Sequence, residues 1–97
     1  MRRFASTCVL VFCCATAHAQ DARGLAAGCT ACHSSVVATR GGNRPLAGMP
    51  RDELARAMRA YRAGERAGTL MPQLAKGYND AEIDAIAGWY AALPRSP

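Results

Sequence analysis

The chain has 97 residues, a formal net charge of +5 at neutral pH and five cysteines. A chain of this length forms one small domain, which buries too little surface to be stable without a disulfide, a metal or a cofactor. The charge is modest and no basic tract is interleaved with aromatic residues, which argues against nucleic-acid binding. Three cysteines lie within the first fourteen residues and the other two form a separate motif, which argues against a disulfide framework.

The first nineteen residues have the pattern of a secretory signal peptide. Two arginines follow the initiating methionine, an apolar stretch comes next, and Ala17-His18-Ala19 provides a small-x-small cleavage site. The apolar stretch is shorter than the roughly 20 residues that a membrane-spanning helix needs, so a retained anchor is the weaker alternative. We therefore expect residues 1–19 to be removed on export to the periplasm, which leaves residues 20–97 with a formal charge of +3 and no membrane span.

The remaining sequence predicts three main helices joined by loops that are rich in glycine and proline. The first is short and runs over residues 21–28, with Asp21 as its cap. The second runs over about residues 51–63. The third follows Asn79, a predicted cap with Glu82 three residues later. No segment alternates like a β-strand, so the predicted fold class is all-α.

Each of the two longer helices has one apolar face with helical spacing. These faces are formed by Leu54, Ala57, Met58 and Tyr61 in the second helix and by Ile83, Ile86, Ala87, Tyr90 and Leu93 in the third. Both faces are predicted to form the core. Long loops are predicted over residues 34–50 and 68–72, where glycine and proline interrupt any regular element.

A C-x-x-C-H sequence, Cys29-Thr30-Ala31-Cys32-His33, follows the first predicted helix. On a helical turn, cysteines three apart share a face, so both thiols reach neighbouring vinyl groups of one haem. His33 then follows in position to ligate the iron. A zinc site needs about four ligands and a thioredoxin-like pair needs a βαβ setting, and residues 20–97 predict neither. The motif therefore predicts one covalent haem c attached to Cys29 and Cys32.

Three methionines in residues 20–97 are candidates for the sixth iron ligand. Met58 lies within an apolar helical face and is predicted to be core. Met49 and Met71 both lie in predicted loops, but Met71 is 38 residues beyond His33 and Met49 only 16. The longer separation lets the chain cross to the opposite haem face, so Met71 is the predicted ligand and Met49 the alternative. A His/Met pair raises the reduction potential of a haem.

With C-x-x-C-H after a short helix, a methionine in a late loop and an aromatic-bearing last helix, residues 20–97 resemble the class I cytochrome c family. The resemblance implies an electron carrier that is not itself an enzyme. It also implies that the first and last helices cross, with Gly24 or Gly28 against Trp89 or Tyr90.

The same resemblance implies further roles around the haem. The carbonyl of Pro45 is expected to accept a hydrogen bond from the free ring nitrogen of His33 and so to fix its tautomer. Tyr61 and Trp89 are expected to line the haem pocket.

Three arginines of the second helix lie opposite its apolar face and are predicted to be solvated. These are Arg59, Arg62 and Arg66, and the alternative is that they steer an acidic redox partner or neutralise a haem propionate.

A narrower resemblance lies in residues 61–72, 76–78 and 80–83, which read YRAGERAGTLMP, KGY and DAEI. They resemble the cytochrome subunit of flavocytochrome c sulfide dehydrogenase, which implies a flavoprotein partner that oxidises sulfide and passes electrons to the haem. One alternative is a freely diffusing cytochrome for another dehydrogenase or an oxidase. Another is an open-site haem enzyme or gas sensor, which is disfavoured because His33 is the one histidine in residues 20–97.

Overall fold

The computed structural model describes residues 17–33 and 43–95, and every regular element in these ranges is helical. The elements are α1 (Ala17–Ala27), a 3₁₀ turn (Gly28–Ala31), α2 (Arg51–Ala63), α3 (Met71–Ala75) and α4 (Asp80–Ala91). The predicted all-α class is confirmed. None of the helices in the described ranges is both long enough and apolar enough to cross a membrane. Most of the predicted signal peptide and residues 34–42 of the predicted loop lie outside the described residues.

The first helix, α1, begins earlier than the sequence predicts. Its backbone is helical from Ala17, so Asp21 lies within the helix and does not cap it. Alanine has the highest helix propensity, and the alanines at 17 and 19 favour this extension toward the N-terminus. The predicted cleavage point after Ala19 therefore falls in the first turn of α1.

The second helix, α2, has the predicted bounds and buries Leu54, Ala55 and Met58 on its inner face. Pro50 precedes its first turn, where a missing N–H costs no helical hydrogen bond. Gly64 ends the helix with a φ of 76°, a left-handed conformation that glycine adopts without steric cost. The chain is thereby turned away from the helix axis toward α3.

The last helix, α4, begins with the predicted capping box. The Asn79 side chain accepts a hydrogen bond from the N–H of Glu82 at 2.8 Å, and the Glu82 carboxylate accepts one from the N–H of Asn79 at 3.0 Å. The helix presents its apolar face to both α1 and α2. The buried residues of that face are Ile83, Ile86, Ala87 and Tyr90.

α1 packs against α4, but neither predicted glycine forms the contact. A side-chain carbon added at Gly24 or Gly28 would meet no atom within 4 Å. The contact is made instead by Ala26, which is 1% exposed and whose carbonyl accepts a hydrogen bond from the Tyr90 hydroxyl at 2.6 Å. Residues four apart share a helix face, so Gly24 and Gly28 lie together on the side away from Ala26.

Two arginines of α2 join it to the start of α4. Arg59 forms ion pairs with Asp80 at 3.2 Å and Asp84 at 2.9 Å, and Arg62 pairs with Asp80 at 2.6 Å. Arg62 also donates to the carbonyl of Tyr78 at 3.1 Å. Arg59 and Arg62 keep 37% and 30% of their side chains exposed, so they are partly solvated as predicted. Their pairing with acidic residues of α4 was not predicted from the sequence.

Candidate functional site

The C-x-x-C-H sequence is wound into a helical turn that continues α1. The N–H groups of Cys32 and His33 both donate to the carbonyl of Cys29, at 3.3 and 2.9 Å. The Thr30 hydroxyl donates to the carbonyl of Ala27 at 2.7 Å and ties the turn to the helix. Residues three apart are nearly eclipsed in 3₁₀ geometry, so the two cysteines share one side of the turn.

The two cysteines form no disulfide with another described residue and lie in different surroundings. Cys29 is half-buried against the core, whereas Cys32 is exposed. Burial raises the pKa of the Cys29 thiol, and the neighbouring Tyr90 hydroxyl partly offsets this effect. Burial is also the main reason that the pKa of Tyr90 is raised to about 12. Both groups are therefore protonated at neutral pH. The packing of Cys29 against the core anchors one side of the motif.

The imidazole ring of His33 is held by a main-chain carbonyl. Its Nδ1 lies 2.8 Å from the carbonyl oxygen of Arg44. Because a carbonyl can only accept, Nδ1 carries a proton, and in the neutral ring Nε2 then keeps the lone pair. This contact favours the tautomer whose Nε2 can bind a metal ion.

The acceptor is one residue earlier than the carbonyl of Pro45, which the resemblance to class I cytochromes c implies for this role. A proline restricts the residue before it to extended conformations. In an extended chain, successive carbonyls point to opposite sides, so only one of these two neighbours can face the ring. The site thus has the expected type of contact, with Arg44 in place of Pro45.

The Arg44 side chain ties this segment to α2. Its Nη1 donates to Oε1 of Glu53 at 3.0 Å, and Glu53 lies in the first turn of the helix. Neither residue was predicted from the sequence to take part in the site. An arginine and a glutamate nine positions apart, in a loop and a helix, carry no pattern that would reveal their contact.

The three methionines occupy different environments. Met58 is 6% exposed within the core, as predicted, and Met49 is also in the core at 9% exposed. Met71 is half-buried and packs at the edge of the core. The prediction of a loop over residues 68–72 is wrong at its end, because Met71 is the first residue of α3.

The short helix α3 presents an apolar patch beside Met71. Pro72 lies in its first turn, where proline favours helix initiation, and this is the signal that could have predicted the helix. Leu70 and Leu74 are 63% and 53% exposed. Residues four apart lie on one side of a helix, so the two leucines together form an apolar surface, here called the Leu70/Leu74 patch.

The predicted pocket aromatics, Tyr61 and Trp89, are both half-buried at the edge of the core. The Arg66 guanidinium lies over the Tyr61 ring, 5.0 Å from its centroid, which is cation–π geometry. A side-chain carbon at Gly68 would come within 3.2 Å of both Tyr61 and Pro72. The segment that leads into α3 therefore passes close to Tyr61, and only glycine fits there without displacement.

Comparison of the chain with protein-family models gave no match, and comparison with curated proteins gave none either. The two family resemblances therefore stay predictions. Within residues 17–33 and 43–95, no group of three or more histidine, cysteine, aspartate or glutamate side chains could hold a metal ion.

Proposed function

We propose that the protein is an exported electron-transfer protein with one covalently attached haem c. The observation that carries this proposal is the C-x-x-C-H turn, in which Cys29 and Cys32 share a side and the Nδ1 proton of His33 is already bonded to a carbonyl. The two thiols would form the thioether bonds and Nε2 of His33 would ligate the iron. Bound haem would supply reversible one-electron Fe(III)/Fe(II) exchange.

The residues of the described structure fit such a group. The motif is anchored because α1 packs on α4 through Ala26 and Tyr90, and because Cys29 packs against the core. The Leu70/Leu74 patch offers apolar surface that a porphyrin would cover. Burial of one leucine side chain stabilises by roughly 1.5–3 kcal/mol, so this contact would add to the stability of a small domain.

We propose Met71 as the sixth ligand, opposite His33. Met71 stands at the edge of the core beside the Leu70/Leu74 patch, whereas Met49 and Met58 are buried among core side chains. A thioether at a partly exposed helix start can turn toward a bound group without opening the core. The class I fold, with loops wrapped around the haem, is part of the same proposal.

The proposed partner is a periplasmic flavoprotein that oxidises sulfide and passes electrons to the haem. The resemblance of residues 61–72 to the cytochrome subunit of flavocytochrome c sulfide dehydrogenase supports this partner. Export rests on the signal-peptide pattern of residues 1–19. In this role the chain moves electrons and makes or breaks no bond of the substrate.

The test is expression of the full chain with a haem c attachment system, followed by purification from the periplasm under mild conditions. We expect haem c bands in the reduced-minus-oxidised absorption spectrum and a protein mass increased by one haem. Co-purifying flavin supports the sulfide dehydrogenase partner, and haem without flavin favours a freely diffusing carrier. Carbon monoxide binding to the reduced protein would indicate an open-site enzyme or sensor, and absence of covalent haem would overturn the proposal.

A further inference from the structure

Arg44 makes two bonds that connect the candidate site to the helical core. Its main-chain carbonyl accepts from Nδ1 of His33 at 2.8 Å, and its guanidinium donates to the Glu53 carboxylate at 3.0 Å. Segment 43–45 forms no other hydrogen bond to a described residue. The position of the carbonyl that holds the imidazole therefore depends on a side chain of α2.

We infer that Glu53 is a positioning residue for His33, acting through Arg44. This inference rests on the proposed role of His33 as an axial ligand. The Glu53 carboxylate holds the Arg44 side chain, which keeps the Arg44 carbonyl in line with the Nδ1 proton. A hydrogen bond of this kind fixes the plane of a ligating imidazole and raises the basicity of its other nitrogen.

The ion pair acts locally and contributes little to overall stability. Its side chains are 69% and 45% exposed, and exposed pairs are weakened by solvent. A variant without the pair is therefore expected to fold, so its effect on His33 can be measured in a folded protein.

The experiment compares Glu53→Gln with Asp52→Asn in the full chain carrying its haem. Both residues lie in the first turn of α2, so each substitution removes one negative charge from the same helix end. Among bonds between described residues, none joins Asp52 to Arg44. The readouts are the exchange rate of the His33 Nδ1 proton with solvent, by NMR, and the midpoint reduction potential.

We expect the Nδ1 proton to exchange several-fold faster in Glu53→Gln and at the wild-type rate in Asp52→Asn. Loss of a negative charge raises the potential in both variants, and the weaker imidazole donor raises it further in Glu53→Gln alone. The exchanged pair Arg44→Glu with Glu53→Arg should restore slow exchange. Equal exchange rates and equal potentials in Glu53→Gln and Asp52→Asn would overturn the inference.

Failure of the proposed function gives a different result. In that case the wild-type chain carries no covalent haem, whatever residue stands at position 53. The ring ¹⁵N chemical shifts of His33 then report its tautomer populations directly. A lower Nδ1–H population in Glu53→Gln than in Asp52→Asn supports positioning by Glu53, and equal populations contradict it.

Discussion

At His33, one hydrogen bond decides which ring nitrogen is available. Donation to the Arg44 carbonyl places the proton on Nδ1 and leaves Nε2 free. A short contact of this kind is common beside ligating histidines, where it orients the ring. In the proposed haem site, the choice of the second iron ligand depends in the same way on where single side chains lie.

If Met71 is the sixth ligand, as proposed, its substitution by alanine opens that position of the haem iron. The reduced protein should then bind carbon monoxide, and the absorption band of methionine sulfur bound to ferric haem should disappear. Loss of a thioether ligand should also lower the reduction potential. The control is Met49→Leu, which keeps the volume of a core residue and should preserve the band. Loss of the band in Met49→Leu alone would instead assign the ligand to Met49.

Tyr90→Phe removes a buried hydrogen bond between α4 and α1. The Tyr90 hydroxyl lies 2.6 Å from the Ala26 carbonyl, and the substitution leaves that carbonyl without its donor. We expect the free energy of unfolding to fall by about 1–3 kcal/mol, measured by chemical denaturation. Tyr61→Phe is the control, because its hydroxyl forms no hydrogen bond to another described residue. A similar loss in both variants would contradict this role for Tyr90.

At the scale of the elements, the ends of α2 and α4 explain how a short chain keeps its helices in place. Gly64 closes α2 with a positive φ, and a capping box opens α4. Arg59 and Arg62 reach from α2 to Asp80 in the first turn of α4. A negative charge at that position also favours the helix dipole.

The ion pairs at Asp80 predict a pH dependence of stability. Hydrogen bonds from Arg62 and then Arg59 hold the pKa of Asp80 below its usual range. A lowered folded-state pKa means that this stabilisation is fully present above the unfolded-state value, about 3.9, and is lost as the pH falls through the folded-state pKa. Asp80→Asn should therefore be less stable than wild type at pH 7, and the difference should vanish in acid.

Denaturant titrations from pH 7 down to pH 2 measure this difference. Asp52→Asn is the matched control, because it also removes an aspartate from the first turn of a helix, α2. A difference between wild type and Asp80→Asn that stays constant with pH would show that the ion pairs do not stabilise the fold.

Two glycines of the described helices should respond to alanine in opposite directions. Gly24→Ala adds a methyl group within α1 where no atom lies within 4 Å, so a gain of about 0.5–1 kcal/mol is expected. Gly64→Ala forces alanine into a positive φ and should cost about 1 kcal/mol. Thermal unfolding of both variants checks the signs. Destabilisation by Gly24→Ala would mean that α4 approaches this glycine after all.

At the scale of the whole molecule, the sequence predicts the longer helices better than the connections between them. α2 and α4 combine helical spacing of apolar residues with clear signals at their ends, so both bounds of α2 and the start of α4 were predicted correctly. The end of α4 was not, because the helix stops at Ala91, before Leu93 of the predicted apolar face. α3 has five residues, which is too short for any periodicity to appear. The start of α1 was missed because a cap signal at Asp21 competed with the helix propensity of the alanines before it.

In the candidate site, too, features set by local spacing were predicted and contacts between separate elements were not. Local spacing predicts that Cys29 and Cys32 share one side of a turn, because only the backbone geometry of that turn is involved. The Arg44 carbonyl was not predicted because the direction of a carbonyl depends on dihedral angles that the residue types in a loop do not specify. The contact of Arg44 with Glu53 was missed since it joins a loop to a helix.

The Leu70/Leu74 patch gives a prediction about the loaded protein as a whole. If a porphyrin covers the patch, Leu74→Ser should lower the stability of the haem-carrying protein by about 1 kcal/mol or more. In the Cys29→Ser/Cys32→Ser background, which cannot attach haem, the same change should have little effect, because Leu74 is 53% exposed. Denaturation of the four proteins measures both values, and equal effects would show that the patch stays uncovered.

The continuity of α1 with the C-x-x-C-H turn has a consequence for the rate of the proposed electron transfer. His33 follows a turn bonded to α1, and its ring is held at Nδ1. If His33 ligates iron, as proposed, a ring held through both its backbone and Nδ1 would move little when the charge of the iron changes. The nuclear rearrangement that accompanies each change of oxidation state would therefore be small, and electrons could pass quickly even to a partner of similar potential.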